Sequence, residues 1–187
     1  GLRMNQDTLH RKGAGYVGKH APDFMKTKDK WFRGIELGYG PDGGVYVLDW
    51  SDIGECHEND GIHRTSGRIF KITHGKTKPF PQNLNKLSSP ELAKSQTHAN
   101  DWHVRQARRL MQERAVAGQA DIAQAQKILR SIYYKSSSIP HRLRAMWALQ
   151  VTGNLDEKWL LKQTHDKNEH IRVWAIKLLN DSSAPSA

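Results

Sequence analysis

Residues 31–73, WFRGIELGYGPDGGVYVLDWSDIGECHENDGIHRTSGRIFKIT, decide the fold of the N-terminal part. Two β-like segments, 32–37 and 45–50, flank the turn GPDGG at 40–44. Proline sets φ for such a turn, and glycine accepts a positive φ. A third segment, 67–73, follows the polar loop 51–66 and continues the period of two, with Phe70 and Ile72 facing inward. The pattern predicts a three-stranded antiparallel sheet.

The flanks of this sheet are less regular. Residues 1–30 are polar, rich in lysine and dotted with glycine, and they predict an arm with one short strand at 15–17. With the arm, the predicted β module covers residues 1–78. A sheet of this size is marginal unless other structure packs on it. Residues 79–88 contain Pro79 and Pro81, which disfavour regular structure, so a linker is expected there.

From residue 89 onward the apolar period becomes helical. Ser89 is the expected N-cap of a short helix over 90–97. Asn100 or Asp101 is expected to cap the next helix, and Asn154 is expected to cap a later one. Four further apolar faces follow, formed by Val104, Ala107, Met111 and Ala115, by Ile122, Ala125, Leu129, Ile132 and Tyr133, by Leu143, Met146, Trp147 and Val151, and by Ile171, Trp174, Ala175, Leu178 and Leu179. The fold class predicted is therefore α+β, with a helical domain over 89–187.

Three helix starts resemble one another: DWHVR at 101–105, PHRLR at 140–144 and NEHIR at 168–172. Each places an aliphatic residue before an arginine. A helix-pair repeat of this approximate length is typical of HEAT or armadillo solenoids, in which stacked pairs bury each other's faces. The unequal spacing predicts one abbreviated repeat.

The chain of 187 residues has a formal net charge of +10. Residues 1–78 carry 13 basic and 10 acidic side chains, whereas residues 79–187 carry 16 and 9. Such a basic second half favours acidic partners, either an acidic protein or nucleic acid. The plainer alternative is a solvated helical surface.

The single cysteine excludes an internal disulfide and any Cys-x-x-Cys zinc or haem motif within this chain. No apolar run approaches the roughly 18 residues of a membrane span, and no signal peptide is recognisable. A first residue other than Met fits a piece of a longer protein.

Two segments carry a resemblance to a known family. WFRGIELGYGPDGGVYVLDWSD (31–52) and GECHENDGIHRTSGRIFKIT (54–73) resemble the closing blade of the β-propeller in large membrane-bound dehydrogenases of the planctomycete type, which are similar to quinoprotein sugar dehydrogenases. NDWHVRQARRLMQERA (100–115) is similar to the first HEAT-like repeat of that family. The resemblance covers roughly residues 10–180. It implies a periplasmic or extracytoplasmic, membrane-associated parent protein that acts on a sugar or related alcohol.

The same resemblance implies partners outside this chain. These are the remaining propeller blades and a cytochrome c domain whose haem c site, Cys-x-x-Cys-His, is absent here. This chain would then close the propeller and provide a helical spacer, and we expect no turnover from it alone. The alternatives are a non-catalytic scaffold that binds an acidic protein and a basic HEAT-type nucleic-acid binder.

The loop after the second strand holds the candidate metal ligands Asp52, Cys56 and His57. Thiolate, imidazole and carboxylate are the usual ligands of zinc and related metals, although this spacing matches no standard motif. The alternative is a polar loop whose aspartates cap turns.

A quinone cofactor, as in pyrroloquinoline quinone enzymes, is implied by the resemblance and would need cations. Arg64 and Arg68 are the candidate cofactor-binding residues, and His63, Arg33 and Asp49 the candidate catalytic ones, with His63 as the base that accepts the hydroxyl proton. The alternative is that Arg33 pairs with Asp49 across the strands.

A candidate binding surface lies in the helical part, at Arg105, Arg108, Arg109 and Arg144. Residues 105–144 hold 9 basic and 2 acidic side chains, which suits phosphate contacts. In HEAT repeats such an arginine alternatively pairs with an aspartate or a helix-end carbonyl of its neighbour. The tryptophans at 102, 147, 159 and 174 are expected to pack in the core.

Overall fold

The computed structural model describes residues 2–53, 65–77 and 83–181. These residues form two small antiparallel sheets and a set of helices, so the predicted α+β class is confirmed. The chain divides into two compact units, Gly1–Pro79 and Phe80–Ala187, here named the β unit and the helical unit.

The β unit begins with a long two-stranded ribbon, β1 (Arg3–Lys12) and β2 (Gly15–Lys26). The prediction of one short strand in a long loop was wrong here. Gly13 has a φ of 58° in the two-residue turn that joins the strands, a conformation that glycine adopts without strain. The two strands are held together by main-chain hydrogen bonds. Polar side chains lie on both faces of the ribbon, so the sequence shows no apolar period of two there.

A three-stranded sheet follows, in the order β3 (Gly34–Tyr39), β4 (Val45–Asp49) and β5 (Arg68–Ile72). Both pairings are antiparallel, as the sequence predicts. Val47 lies at the centre, opposite Leu37 on one side and Phe70 on the other. Phe32 and Val47 are the buried hydrophobic residues of this unit among those described. Phe70 is less enclosed than expected, with 39% of its surface exposed.

The predicted turn joins β3 and β4. The Gly43 amide donates to the Gly40 carbonyl at 3.1 Å, and the Gly44 amide donates to the Asp42 carboxylate at 3.1 Å. Gly43 has a φ of +81°, whereas Gly44 does not need a positive φ. A bulge between residues 34 and 36 shifts the register of β3 by one residue. It leaves Ile35 on the same side as Leu48.

The helical unit contains α1 (Ser89–Lys94), α2 (Asp101–Val116), α3 (Ile122–Lys135), α4 (Ile139–Val151), α5 (Glu157–Gln163) and α6 (Glu169–Leu179). Short 3₁₀ turns lie at Leu84–Lys86 and Ser95–Thr97. Leu84 is buried in the helical core, so part of the predicted linker 79–88 packs with the helices. Pro79 and Pro81 lie outside the described residues.

Helix starts differ by one or two residues from the predicted ones. Ser88, rather than Ser89, precedes α1, and its amide and hydroxyl both donate to Glu91, at 2.8 and 2.7 Å. Asp156, rather than Asn154, caps α5 by accepting the Trp159 amide at 2.7 Å. Asn100 caps α2, as one of the two predicted alternatives.

The helices contact one another in consecutive pairs, α1 with α2, α3 with α4 and α5 with α6. In addition, α2 contacts α4, α4 contacts α6, and α1 contacts α3. Two apolar clusters form the core. One is centred on Leu92, Met111 and Leu129, and the other on Met146 and Ile171. No helix among the described residues has the length and apolar character needed to cross a membrane.

Candidate functional site

Three of the predicted site residues of the β unit come together at one end of the three-stranded sheet. Arg33 lies just before β3, Asp49 ends β4 and Arg68 begins β5. Antiparallel pairing places Asp49 directly opposite Arg68. Four further predicted residues of this region, Cys56, His57, His63 and Arg64, lie outside the described residues.

Asp49 is the centre of this group, and its side chain has no exposed surface. Its Oδ1 accepts the backbone N–H groups of Arg33 at 2.7 Å and Ser51 at 3.0 Å. Its Oδ2 accepts Nε of Arg68 at 2.7 Å. Nη2 of Arg68 is also 2.6 Å from Oδ2, but it lacks the alignment of a hydrogen bond. A buried carboxylate held by three donors stabilises the ends of the strands and does not reach an outside substrate.

Arg68 links Asp49 to a second carboxylate. Its Nη1 donates to Oδ2 of Asp29 at 2.6 Å. The pKa of Asp29 lies below its usual value, because the Trp31 amide donates to this carboxylate and Arg68 adds a hydrogen bond and a positive charge. Burial acts to lower the pKa of Arg68, but the hydrogen bonds and the charge attraction to Asp29 and Asp49 together outweigh it, so the pKa is raised. Two carboxylates therefore neutralise this guanidinium.

The guanidinium of Arg33 is directed to main-chain oxygens. It donates to the carbonyls of Lys30 at 3.1 Å, Phe32 at 3.0 Å and Ile53 at 2.6 Å. An anionic quinone would need cations whose charge is available to it. Arg68 does not fit that requirement, because it binds two carboxylates, whereas the carbonyl groups that accept from Arg33 carry no charge.

The predicted metal ligand Asp52 is buried next to this group. Its backbone N–H donates to the Trp31 carbonyl at 2.9 Å, and the Trp50 amide donates in the same way to the Arg33 carbonyl. Within residues 2–53, 65–77 and 83–181, no group of three His, Cys, Asp or Glu side chains is arranged to hold a metal ion. The other two predicted ligands, Cys56 and His57, belong to the segment that is not described.

One feature of the β unit was missed by the sequence reasoning. Ile35, Leu48, Trp50 and Ile69 share one face of the three-stranded sheet and line an open concavity of about 670 Å³. Ile35, Trp50 and Ile69 are 63%, 57% and 71% exposed. On the opposite face, Leu37 and Phe70 also retain exposed surface. The sequence does contain a signal for this feature. Apolar residues occupy consecutive positions in β4 and β5, and consecutive strand residues point to opposite faces, so both faces of the sheet carry apolar side chains.

The four arginines of the predicted binding surface of the helical unit occupy different environments. Arg109 pairs with Glu113 at 3.1 Å on the exposed side of α2. Arg144 pairs with Asp101 at 2.9 Å and donates to the His98 carbonyl at 3.1 Å. Arg105 is exposed and belongs to the same neighbourhood, since its charge acts on Arg108.

Arg108 differs from these three because it is partly buried against an aromatic ring. Its guanidinium carbon lies 5.3 Å from the ring centroid of Trp147 on α4. Trp147 in turn contacts Trp174 of α6, with ring centroids 4.8 Å apart. Burial lowers the pKa of Arg108, Asp101 opposes this effect, and Arg105 and Arg144 reinforce it.

Comparison with known proteins adds one finding. The model of a family described as "Domain of unknown function (DUF7133)" matches residues 4–76, which nearly coincides with the β unit. No curated protein and no solved structure matches the chain.

Proposed function

We propose that this chain is part of a larger dehydrogenase-like redox protein, in which the three-stranded sheet belongs to one blade of a β-propeller. The observation that carries the proposal is the exposure of apolar side chains on both faces of that sheet. A sheet that covers one core and faces water on its other side alternates apolar and polar residues. Here Trp50 and Ile69 are exposed on one face, and Leu37 and Phe70 on the other.

Blades of a propeller are sandwiched between neighbouring blades, so both of their faces are covered. A blade normally has four strands, whereas the described residues supply three to this sheet, with β3 and β5 as the outer ones. In our proposal a further strand of the parent protein pairs with one edge. The Asp29–Arg68–Asp49 group would then fix one end of the blade.

The helical unit is, in this proposal, a HEAT-like solenoid that acts as a spacer and scaffold. Its helices contact one another in consecutive pairs, and the second helices of the pairs, α2, α4 and α6, contact in sequence. Arg144 supports the same arrangement, because it joins α4 to Asp101 at the start of α2. Arg172 donates to the carbonyls of Asp166 and Lys167 before α6.

The chemistry of the parent would reside outside the described residues. Other blades would hold the quinone or metal cofactor, and a cytochrome c domain would hold haem c, in a periplasmic or membrane-associated protein. Sequencing the gene on both sides of this segment tests the assignment. Strand-rich modules upstream and a Cys-x-x-Cys-His motif downstream are expected. A gene that encodes neither would overturn it.

A labelling experiment tests the blade directly. In a Cys56→Ser background, Ile69→Cys places a thiol on the exposed sheet face, and Val116→Cys places a control thiol on α2, where the native side chain is 86% exposed. Thiol labelling follows accessibility, so Ile69→Cys should react at least roughly tenfold more slowly in the parent protein than in this chain. The control should react at similar rates in both. Equal rates for Ile69→Cys would contradict the proposal.

An activity assay completes the test. With a dye as electron acceptor, the parent protein is expected to oxidise a sugar or related alcohol, whereas this chain alone is not. Turnover by the isolated chain would show that the catalytic residues lie within it, and the spacer role would then be wrong.

A further inference from the structure

A row of four side chains crosses the helices α2, α4 and α6. Arg108 on α2 lies over Trp147 on α4, Trp147 contacts Trp174 on α6, and the ammonium of Lys177 lies 4.7 Å from the Trp174 centroid. We name these four residues the cation–indole row. Trp174 and Lys177 are three positions apart, so they project from the same side of α6. The row therefore runs continuously over three helices that contact one another.

Two hydrogen-bond donors of this row are buried without an acceptor. They are Nη1 of Arg108 and Nε1 of Trp147, and neither has an acceptor among the described residues. Buried polar groups in folded proteins are nearly always hydrogen-bonded, so two orphan donors on stacked side chains call for an explanation. The charge environment points the same way, because three cations, Arg105, Arg108 and Arg144, stand against one carboxylate, Asp101, among the charges that affect the pKa of Arg108.

We propose that the cation–indole row is a binding site for an acidic segment of a partner protein, in which a glutamate or aspartate carboxylate accepts from Arg108 and Trp147. A carboxylate has two oxygens and several lone pairs, so it can accept both donors at once. It also adds negative charge beside this cluster of arginines. Indole faces next to the carboxylate would pack against the apolar part of the bound segment.

The arrangement favours a carboxylate over a nucleic-acid backbone. A phosphate backbone is followed by many available cations along a groove. In this helical unit several arginines are already engaged, Arg109 with Glu113, Arg142 with Asp166, Arg114 with Ser89 and the Asn85 carbonyl, and Arg130 with Asn154. What distinguishes the row is a pair of donors without acceptors on two side chains that stack on each other, which suits the recognition of a single compact anion.

Both donor atoms are buried, so the proposed binding requires a change of side-chain rotamer at the row. Arg108, Trp147 and Trp174 are half-buried, whereas Lys177 and Arg105 are exposed. Arg108 is long and only half-buried, so a change of its rotamer can turn the guanidinium towards the surface and open the site to a carboxylate without a change in the helices. This site lies wholly within the helical unit and does not depend on the propeller assignment of the β unit.

The test is a binding assay on the full chain. The probe is a fluorescein-labelled decapeptide of alternating glutamate and glycine, and binding is followed by fluorescence anisotropy at low salt. Saturable binding is expected, and Arg108→Gln should weaken it by roughly tenfold, since it removes a charge-assisted hydrogen bond. Arg109→Gln is the matched control: it removes the same charge from the same helix, but Arg109 is paired with Glu113. It should change the affinity by less than about twofold.

A second pair of variants isolates the indole donor. Trp147→Phe keeps an aromatic ring and removes the N–H, so weaker binding is expected. Trp159→Phe is the control, because its N–H donates to the Tyr134 hydroxyl at 2.8 Å, away from the row. In ¹⁵N-labelled protein, the indole N–H signal that is missing from Trp147→Phe is assigned to Trp147. In the unmutated chain this signal should shift when the peptide is added, and this readout does not depend on binding by any variant.

Three outcomes would overturn the proposal. One is no saturable binding of the peptide together with an unchanged Trp147 indole signal. Another is an equal loss of affinity in Arg108→Gln and Arg109→Gln, which would mean diffuse charge attraction. The third is tighter binding of hexathymidine, whose five phosphates match the five glutamates of the peptide, with equal dependence on both arginines. Thermal melts of each variant separate lost binding from lost folding.

Discussion

The β unit and the helical unit differ in how they use apolar side chains. In the helical unit, helices α1 to α6 enclose two clusters in which Leu92, Met111, Leu149 and Ile171 are completely buried. In the β unit, Phe32 and Val47 are the hydrophobic residues that are buried among those described, while Trp50 and Ile69 are exposed. The β unit instead relies on main-chain pairing and on the buried carboxylate of Asp49. Exposed apolar surface of this kind is expected to pack against other protein, as the proposed propeller assignment requires.

The largest expected effect is a cavity in the helical core. Leu149→Ala removes a fully buried side chain of α4, and such substitutions cost about 2–5 kcal/mol of the free energy of unfolding. Urea denaturation followed by circular dichroism at 222 nm measures this loss. Val116→Ala is the control, because that valine is exposed and its replacement should change stability by less than about 0.5 kcal/mol. Similar losses in both variants would show that the core is not packed as described.

In the β unit, the corresponding test removes a polar partner. Asp49→Asn replaces an acceptor of Arg68 by an amide, so buried donors lose partners, at a cost of about 1–3 kcal/mol. Hydrogen exchange should show lower protection of the Arg33 and Ser51 amides, which donate to Asp49. The control is Asp42→Asn, at the other end of the sheet beside Lys71. If Asp42→Asn lowers the protection of those two amides as much, then Asp49 has no special role.

A third prediction concerns the stability of the protein at acidic pH. Asp121 accepts the amide and the hydroxyl of Ser89, both at 2.8 Å, and these bonds lower its pKa below the ordinary value of 3.8. A lowered pKa in the folded state stabilises the protein above the unfolded pKa, and this contribution is lost as the pH falls through the folded pKa. Asp121→Asn should therefore be less stable than the unmutated chain at pH 7.

The difference in urea midpoint between the two proteins should shrink as the pH falls below about 4. Ser89→Ala at pH 7 should reproduce part of the loss, because it removes one of the two bonds. A constant difference from pH 7 to pH 3 would mean that the charge of Asp121 contributes nothing.

The smallest effect is expected at a helix start. Asp156→Ala removes the cap of α5 and should cost about 1 kcal/mol, measured as a shift in the urea midpoint. Asp156→Ser keeps an oxygen that can accept the Trp159 amide, so it should change stability by only a few tenths of a kcal/mol. If both variants lose the same amount, the charge of Asp156 rather than its hydrogen bond is responsible.

Much of the helical unit could be predicted from the sequence. The faces that contain Val104, Met111, Leu129 and Ile171 are buried as their spacing predicts. Cap positions were less predictable. Asn154 and Asp156 are both good caps, and only the structure shows that Asn154 accepts Nε of Arg130 instead.

The β unit was predictable where side chains alternate or a turn has a clear signature, as at Gly43. The β1–β2 ribbon was not, because its strands are held by main-chain hydrogen bonds between residues that give no apolar pattern. The loop that holds Cys56, His57, His63 and Arg64 lies outside the described residues, so the roles predicted for them stay predictions.

The sequence alone determined the α+β class, the three-stranded sheet and the helical faces, because these follow from local periodicity and turn chemistry. Only the tertiary structure decided the use of the polar residues. Asp49, Arg68 and Asp29 are far apart in the chain, and their convergence depends on strand pairing. Likewise, Arg108 and Trp147 meet only because α2 packs on α4. Such partnerships depend on long-range packing, which no local pattern encodes.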